Sequence, residues 1–533
     1  MAELGQDGML DQDGMLDQDG TEGATSRSGV EHLDVLIVGA GLSGIGAAHF
    51  LQTNCRWATS AIFEARDAIG GTWDLFRYPG IRSDSDRFTF SYSFRPWQGR
   101  KAIADGDTIR DYIRDTAAES GIDSHIRFGH RITRTEWSTE DSRWTVTAER
   151  TDTGEEVVLT CSFLFSCTGY YRYDRGYTPD FEGMDDFAGE LVHPQFWPED
   201  LDVSQKEVVV IGSGATAITL VPSLAPDAGH VTMLQRSPTY VVALPNRNPV
   251  ADVLRKVLPA KVAGSILRWG MSIGTLGMYQ LSRRRPELMK RILRHRLERQ
   301  LPAGYDIDTH FTPTYEPWDQ RLCVVSNGDM FKAIAAGSAS VVTGNIDRFT
   351  ADGIRLTSGE HVDADIIVTA TGLDLLFMGG MDIIVDGDKV DPSDRLAYKG
   401  MMLEGVPNMA LAVGYTNASW TLRSDLISDY VCRLLNHMRE SGMSQCTPVP
   451  SGDQTERVPL LGLTSGYVTR TQDRFPKQGT RNPWLVTQNY LSDYRLMRRS
   501  RVDDPEMSFT NPGPTRSSGV QPFHLDEKIG VRG

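Results

Sequence analysis

The sequence predicts an α/β protein made of two parallel-sheet units, the second inserted into the first and carrying a helical insert of its own. Three observations predict it. A short apolar strand runs into a glycine-rich turn and a helix at Val35–Gly44, and again at Val208–Ala217. Each unit then returns through a second apolar strand, Ala61-Ile62-Phe63 in the first and His230-Val231-Thr232-Met233-Leu234-Gln235 in the second. Two further strands, Phe163 to Gly169 and Asp365 to Gly372, both end in Thr-Gly, where a chain can cross from one unit to another and back.

The first turn reads Gly39-Ala40-Gly41-Leu42-Ser43-Gly44. Gly39 permits the tight bend, Gly41 lets backbone approach a pyrophosphate, and Gly44 lets the helix pack close to the sheet. The pyrophosphate rests on amides at the positive helix N-terminus. Glu64 ends the second strand at about the twenty-residue distance where a carboxylate takes hydrogen bonds from ribose hydroxyls. This unit suits a nucleotide without a 2′-phosphate.

The second turn, Gly212-Ser213-Gly214-Ala215-Thr216-Ala217, continues into Ile218 and has alanine in third place. Its second strand ends on Arg236-Ser237 instead of an acid. A guanidinium grips a 2′-phosphate bidentately and a serine hydroxyl adds a donor, so this unit favours NADPH over NADH. Both units are therefore Rossmann-like dinucleotide-binding domains for two different nucleotides, which points to redox chemistry. The alternative is two structural crossovers that hold no ligand.

At 533 residues the chain exceeds one hydrophobic core. Predicted boundaries are 31–172 and 373–504 for the first domain, 173–248 and 302–372 for the second, and 249–301 for the helical insert. Residues 1–30 form an extension containing the tandem hexapeptide Asp-Gly-Met-Leu-Asp-Gln, acidic and without the basic and apolar blocks of a secretory signal. Residues 505–533 read as a flexible tail. The net charge of −15 excludes a general nucleic-acid binder. Six cysteines without a C-x-x-C pair indicate no disulfide framework, metal site or redox dithiol, and fit a reducing cytoplasm.

Between the two turns stands Phe187-Ala188-Gly189-Glu190-Leu191-Val192-His193-Pro194-Gln195-Phe196-Trp197-Pro198. It resembles, at every fixed position, the F-x-G-x-x-x-H-x-x-x-W-P fingerprint of type I Baeyer–Villiger monooxygenases. Gly70-Gly71-Thr72-Trp73 and Tyr78-Pro79-Gly80-Ile81-Arg82-Ser83-Asp84 are similar to a second element of that family, and the likeness runs from about Glu31 to about Asp504.

The resemblance implies FAD in the first domain and NADPH in the second. NADPH reduces the flavin, a C4a-peroxyflavin forms with dioxygen, and a ketone becomes an ester or lactone; sulfur compounds and thioamide prodrugs are implied as further substrates. It implies that Thr72, Trp73, Asp74 and Leu75 wrap the flavin, with Arg82, Ser83 and Asp84 beside it. Arg321 matches the catalytic arginine, a permanent cation for the negative charge of the reaction, and Asp84 the acid that orients it. By spacing alone Arg321 reads as a solvated arginine and Asp84 as a loop or capping aspartate. Where the family commonly has lysine before that arginine, this chain has Gln320. His193 and Trp197 are expected to brace the interdomain linker, since carbonyl attack needs no histidine base.

The insert carries twelve Lys/Arg against three acids, around an apolar run near Trp269 to Leu281 that is too short to span a bilayer. It is expected to roof the substrate pocket, or to touch anionic lipid peripherally. Competing functions are a nitrogen- or sulfur-oxygenating flavin monooxygenase, a flavin-dependent reductase, and a FAD-binding NADPH sensor or membrane-docking protein.

Overall fold

The structure of the protein, a computed structural model, describes residues 29–99, 101–320, 322–452, 456–462 and 464–512. The repeat-bearing extension through residue 28, the catalytic-arginine candidate Arg321 and the tail from residue 513 lie outside the described residues.

The first glycine turn joins strand His32–Val38 to helix Leu42–Asn54, and strand Ser60–Phe63 follows. The opening strand lies between Ser60–Phe63 and Glu156–Ser166, parallel to both. An antiparallel meander, His130–Ser138, Arg143–Arg150 and Glu156–Ser166, extends this sheet on one side. Four consecutive residues of the opening strand, Val35 to Val38, are buried, as a strand covered on both faces requires. Helix Trp420–Ser441 packs against the turn's helix, and its buried Leu426, Tyr430 and Leu434 join Ile45 and Leu51 in one core.

The second glycine turn joins strand Glu207–Ile211 to helix Ala215–Leu224. Its sheet is wholly parallel among the described residues, in the order Ala339–Thr343, His230–Gln235, Glu207–Ile211, Ile366–Thr369, Glu190–Val192. These strands fall between residues 190 and 369, after strand Glu156–Ser166 of the first sheet and before its strand Asp382–Val385.

Both turns are shaped by close backbone approach. A Cβ on Gly44 would lie 1.8 Å from the Gly39 carbonyl oxygen, and one on Gly212 would lie 2.4 Å from that of Ala370. The predicted glycine at the first helix contact is thus required, whereas Ala217 at the equivalent place is fully buried without it.

The insert forms helices Pro249–Val257, Ala260–Arg284 and Pro286–Glu298. Arg268 of the long helix is buried and donates to Asp425 at 2.8 Å, while Asp425 also accepts the Ser93 amide at 2.8 Å. Trp269 meets the rings of Tyr490 and Tyr494. The insert is therefore fastened to the first sheet's helical layer, although its sequence belongs to the second unit.

The stretch expected to be tail from residue 505 contains a paired strand. Strand Met507–Thr510 pairs antiparallel with Gln445–Pro448, because Asp504 is held by the buried Lys399 at 2.9 Å and Glu506 accepts Trp484 Nε1 at 3.1 Å.

The two units also meet at Gly80, which has φ +76° and packs on helix Ala215–Leu224. A Cβ there would sit 1.8 Å from Ser223 Oγ. Gly80→Ala is expected to cost roughly 2 kcal/mol or more, from left-handed strain plus the clash. Gly214→Ala, whose Cβ meets nothing within 4 Å at φ −79°, is expected to cost less than half as much. Thermal unfolding of the two variants checks the order.

Candidate functional site

The two turns face one cavity of about 1580 Å³. Of the residues singled out in the first unit, Gly39, Gly41, Ser43, Glu64, Thr72, Trp73, Arg82, Ser83 and Asp84 line it; from the second come Gly212, Ser213, Gly214, Ala215, Thr216, Arg236 and Ser237. Gly44, Ala217 and Ile218 lie behind it in the helix contacts.

Neither turn's helix has a side-chain cap or an acid in its first turn, so the N-terminal amides have no carboxylate to satisfy them. An anion is the natural partner for such an end. Glu64 is buried and accepts the amides of Ala40 at 2.7 Å and Arg66 at 2.9 Å. Burial raises its pKa above 4.5, and those two amides oppose the shift by stabilising the carboxylate.

The Gly-Gly-Thr-Trp segment closes over the first turn. Gly70 donates its amide to the Ala40 carbonyl at 3.1 Å, and a Cβ on Gly71 (φ +56°) would sit 3.0 Å from the Gly41 Cα. Thr72 and Trp73 then reach the cavity. Asp74 and Leu75 are not among its lining residues. Asp74 is fully buried and its carboxylate is taken by three guanidiniums, Arg66 at 2.8 Å, Arg114 at 2.9 Å and Arg77 at 3.3 Å. It anchors the loop from behind.

Asp84 lies on strand Arg82–Asp86, and the capping duty considered for it falls to Asp86, which accepts the amides of Phe88 and Thr89 at 3.0 Å. Arg82 reaches across to Asp329 of the second unit at 2.5 Å, and Ser83 is buried against Ser85. Tyr78 stands between the units: its hydroxyl bonds Thr216, and burial, reinforced by the charge of Asp84, pushes its pKa up to about 12.

On the second side Ser213 Oγ donates to the Ser237 carbonyl at 3.0 Å, tying the turn to the strand end. Arg236 is exposed at the cavity and has no acidic partner among the described residues.

The linker fingerprint does not line the cavity; it holds the two crossovers beside it. Gly189 is required because a Cβ would meet the Asp365 carbonyl oxygen at 2.2 Å, and Phe187 packs on Phe349. Together they set Glu190–Val192 as the sheet's edge strand. His193 Nδ1 then accepts the Gln195 amide at 3.1 Å, and Gln195 Nε2 donates to the carbonyls of Arg172 and Tyr173 on the first crossover, both at 3.0 Å. The ring of His193 lies against Gly176; burial lowers its pKa below 6.5, opposed by the carbonyls of Gly372 on the second crossover and of Tyr177. Trp197 packs under the second core with Pro198 following it, half-buried.

Sequence reasoning missed much of the far wall. Trp420 lines the cavity and donates Nε1 to Ser43 Oγ at 2.9 Å. Tyr170, Tyr171, Tyr173 and Tyr177 line it too, a tyrosine-rich run directly after Thr168-Gly169 that was a readable signal. Arg470 stacks 3.4 Å above the Tyr177 ring, and burial lowers its pKa below the ordinary arginine value.

No residue of the insert lines the cavity, which corrects the expected roof. The insert instead grips the loop that leads to Arg321. Arg283 binds Asp319 at 2.6 Å and Lys290 binds Glu316 at 2.8 Å, while Thr464 donates its amide and hydroxyl to the Asp319 carbonyl.

Comparison with known proteins agrees with this layout. Residues 33–386 match the flavin-binding monooxygenase-like family. The chain is 54% identical over 487 residues to the FAD-containing monooxygenase EthA of Mycobacterium tuberculosis H37Rv, covering 91% of this chain and 99% of that protein. It is 51% identical over 481 residues to the EthA of Mycolicibacterium smegmatis, covering 90% and 97%. The solved structure of an oxidized steroid monooxygenase bound to NADP shares the fold, with a TM-score of 0.72 at 22% identity over 90% of this chain and 99% of that one. With two glycine turns on one cavity and a linker bracing both crossovers, the chain belongs to the flavin-binding monooxygenase-like family.

Proposed function

We propose that this chain is a FAD-containing, NADPH-dependent monooxygenase of the Baeyer–Villiger type. It converts a ketone, dioxygen, NADPH and a proton to an ester or lactone, water and NADP, and accepts thio compounds as well. The observation that carries the reading is the fingerprint from Phe187 to Pro198, whose Gln195 holds the first crossover and whose strand Glu190–Val192 pairs with Ile366–Thr369, the strand leading into the second, between unlike dinucleotide turns. The relatives' FAD-containing character supports the cofactor. The site fits both nucleotides: two helix ends without caps, a carboxylate at one strand end, an arginine at the other, and open space beside Gly214.

When bound, the flavin supplies hydride acceptance and oxygen activation. The chain's own groups do the rest. Glu64, held by two amides, accepts from ribose hydroxyls, and the amides after Gly41 face the pyrophosphate. Arg236 and Ser237 receive a 2′-phosphate. Arg321 supplies a fixed cation for the negative charge that develops on attack at the carbonyl, and Asp84 orients it. We propose the domain division 31–172 with 373–504, and 173–248 with 302–372, and a cytoplasmic enzyme, all six cysteines being unpaired and buried.

A screen of aliphatic, aromatic and cyclic ketones beside a thioether, with product identification, tests the reaction; a sulfoxide with no ester from any ketone selects the sulfur-oxygenating alternative. Arg321→Ala is expected to let NADPH reduce the flavin while ester formation falls by at least a hundredfold, and near-normal ester yield rejects its role.

Arg236→Ala is expected to raise KM for NADPH by about tenfold or more, the loss of one charge-assisted contact, and to leave KM for NADH within about twofold. Initial rates with both nucleotides check this.

Arg283→Ala combined with Lys290→Ala frees the loop before Arg321. NADPH consumption is expected to continue while ester yield per NADPH drops several-fold and hydrogen peroxide rises. The charge-conserving Arg283→Lys, Lys290→Arg pair should restore most of the yield, and unchanged coupling in the alanine pair excludes the positioning role.

A further inference from the structure

We propose that the helical insert is a docking surface for an anionic phospholipid bilayer, on which the enzyme lies without spanning it. Among the described residues most of the exposed large apolar side chains sit here, although the insert is a tenth of the chain. Val253 and Val257 are 60% and 69% exposed on the first helix. On the long helix, Ile266 and Ile273 stand out on a face largely opposite the buried Leu267, Arg268 and Ser272. Gly270 and Gly277 continue that face, and a Cβ on either would meet nothing within 4 Å. On the third helix, Leu288 and Ile292 share a shallow crevice of about 360 Å³ with Arg291, His295, Arg296 and Arg299.

Exposed apolar side chains in such density mark an interaction surface, and the charges say for what. Eight of the insert's twelve cations, among them Lys261, Arg284, Arg291 and Arg299, form no salt bridge among the described residues, in a chain of net charge −15. A second copy applied symmetrically would set these cations against one another. An anionic bilayer takes the apolar face between its headgroups and the cations at its phosphates, and repels the acidic remainder of the protein outward. No helix among the described residues is long and apolar enough to cross a membrane, so the mode is interfacial. The insert also grips the first sheet's helices through Arg268 and the loop before Arg321 through Arg283, so docking places the catalytic unit at the lipid surface. The proposal stands on exposure and charge, independently of the reaction assigned above.

The test is flotation of the flavin-loaded full-length enzyme with vesicles of phosphatidylcholine alone or of equal parts phosphatidylcholine and phosphatidylglycerol. The wild type is expected to float with the mixed vesicles at low salt, to be released from them at high salt, and to stay behind with phosphatidylcholine alone. Ile266→Asp with Ile273→Asp, and separately Arg291→Glu with Arg299→Glu, should each cut the bound fraction at least tenfold while flavin content and thermal transition stay as in the wild type. Failure of the wild type to float with the mixed vesicles overturns the proposal, a result that needs no variant. Equal flotation with both vesicle types overturns its electrostatic half. A dimer seen by sedimentation velocity, dissolved by the Ile266→Asp, Ile273→Asp pair and unaccompanied by vesicle binding, overturns it in favour of a second copy.

Discussion

The structure depends on backbone packed against backbone where no side chain fits. Gly44 lies against the Gly39 carbonyl, Gly39 against the Cys167 carbonyl, and Gly71 against Gly41, with 1.8, 2.8 and 3.0 Å left for a Cβ. One strand end, one helix start, one loop and one crossover therefore share a single small volume. The second unit repeats the device with Gly212 against the Ala370 carbonyl. In both, the strand that returns the chain to the turn is the strand that leaves for the other unit. Nucleotide site and domain crossover are thus one piece of geometry, and whatever shifts one unit against the other pivots beside both turns.

This placement explains why the linker fingerprint is long and yet touches no cavity. Gln195 secures the first crossover through two carbonyls, and strand Glu190–Val192 pairs with Ile366–Thr369, the strand that leads into the second. The insert works from the opposite side, with Arg268 buried on Asp425 and Arg283 and Lys290 on the loop at residues 316–319. Those contacts differ in kind. The Arg268–Asp425 pair is desolvated, so removing one partner strands a buried charge at a cost of roughly 3–5 kcal/mol. The Arg283–Asp319 and Lys290–Glu316 pairs are half-exposed and worth about 1 kcal/mol or less each. The insert is permanently anchored at one end and lightly held at the other, which leaves the loop before Arg321 adjustable.

Local pattern made the nucleotide units legible, because apolar strand, glycine turn, helix and terminal residue lie within thirty positions and each has a steric or electrostatic reason. Glu64 and Arg236 were found that way. Leu75 and Asp74 were carried by resemblance, and Asp74 proved to face three arginines, a network that no spacing announces. Trp420 was unreadable for a different reason. It reaches Ser43 across 377 positions, from a helix whose buried positions blur any amphipathic signature. The expected roof failed because composition can show that a segment is basic and apolar without showing which side each kind of residue takes. The strand at Met507–Thr510, where tail was expected, follows Asp504 meeting Lys399, again a long-range contact.

The two turns differ in a way the residue types alone did not show. Around the first, Leu42, Ser43 and Gly44 are buried, Glu64 is buried, and the Gly70-Gly71 loop closes over the top. Around the second, Gly214 and Ala215 are exposed, as are Arg236 and Ser237, and nothing lies within 4 Å of a Cβ on Gly214. A covered site with a desolvated carboxylate exchanges its ligand slowly, since release requires the loop and its three-arginine anchor to move. An open site rimmed by a solvated arginine lets a ligand come and go through the cavity mouth. For the function proposed, that is the division required: a flavin retained through many turnovers and a reductant replaced in each one.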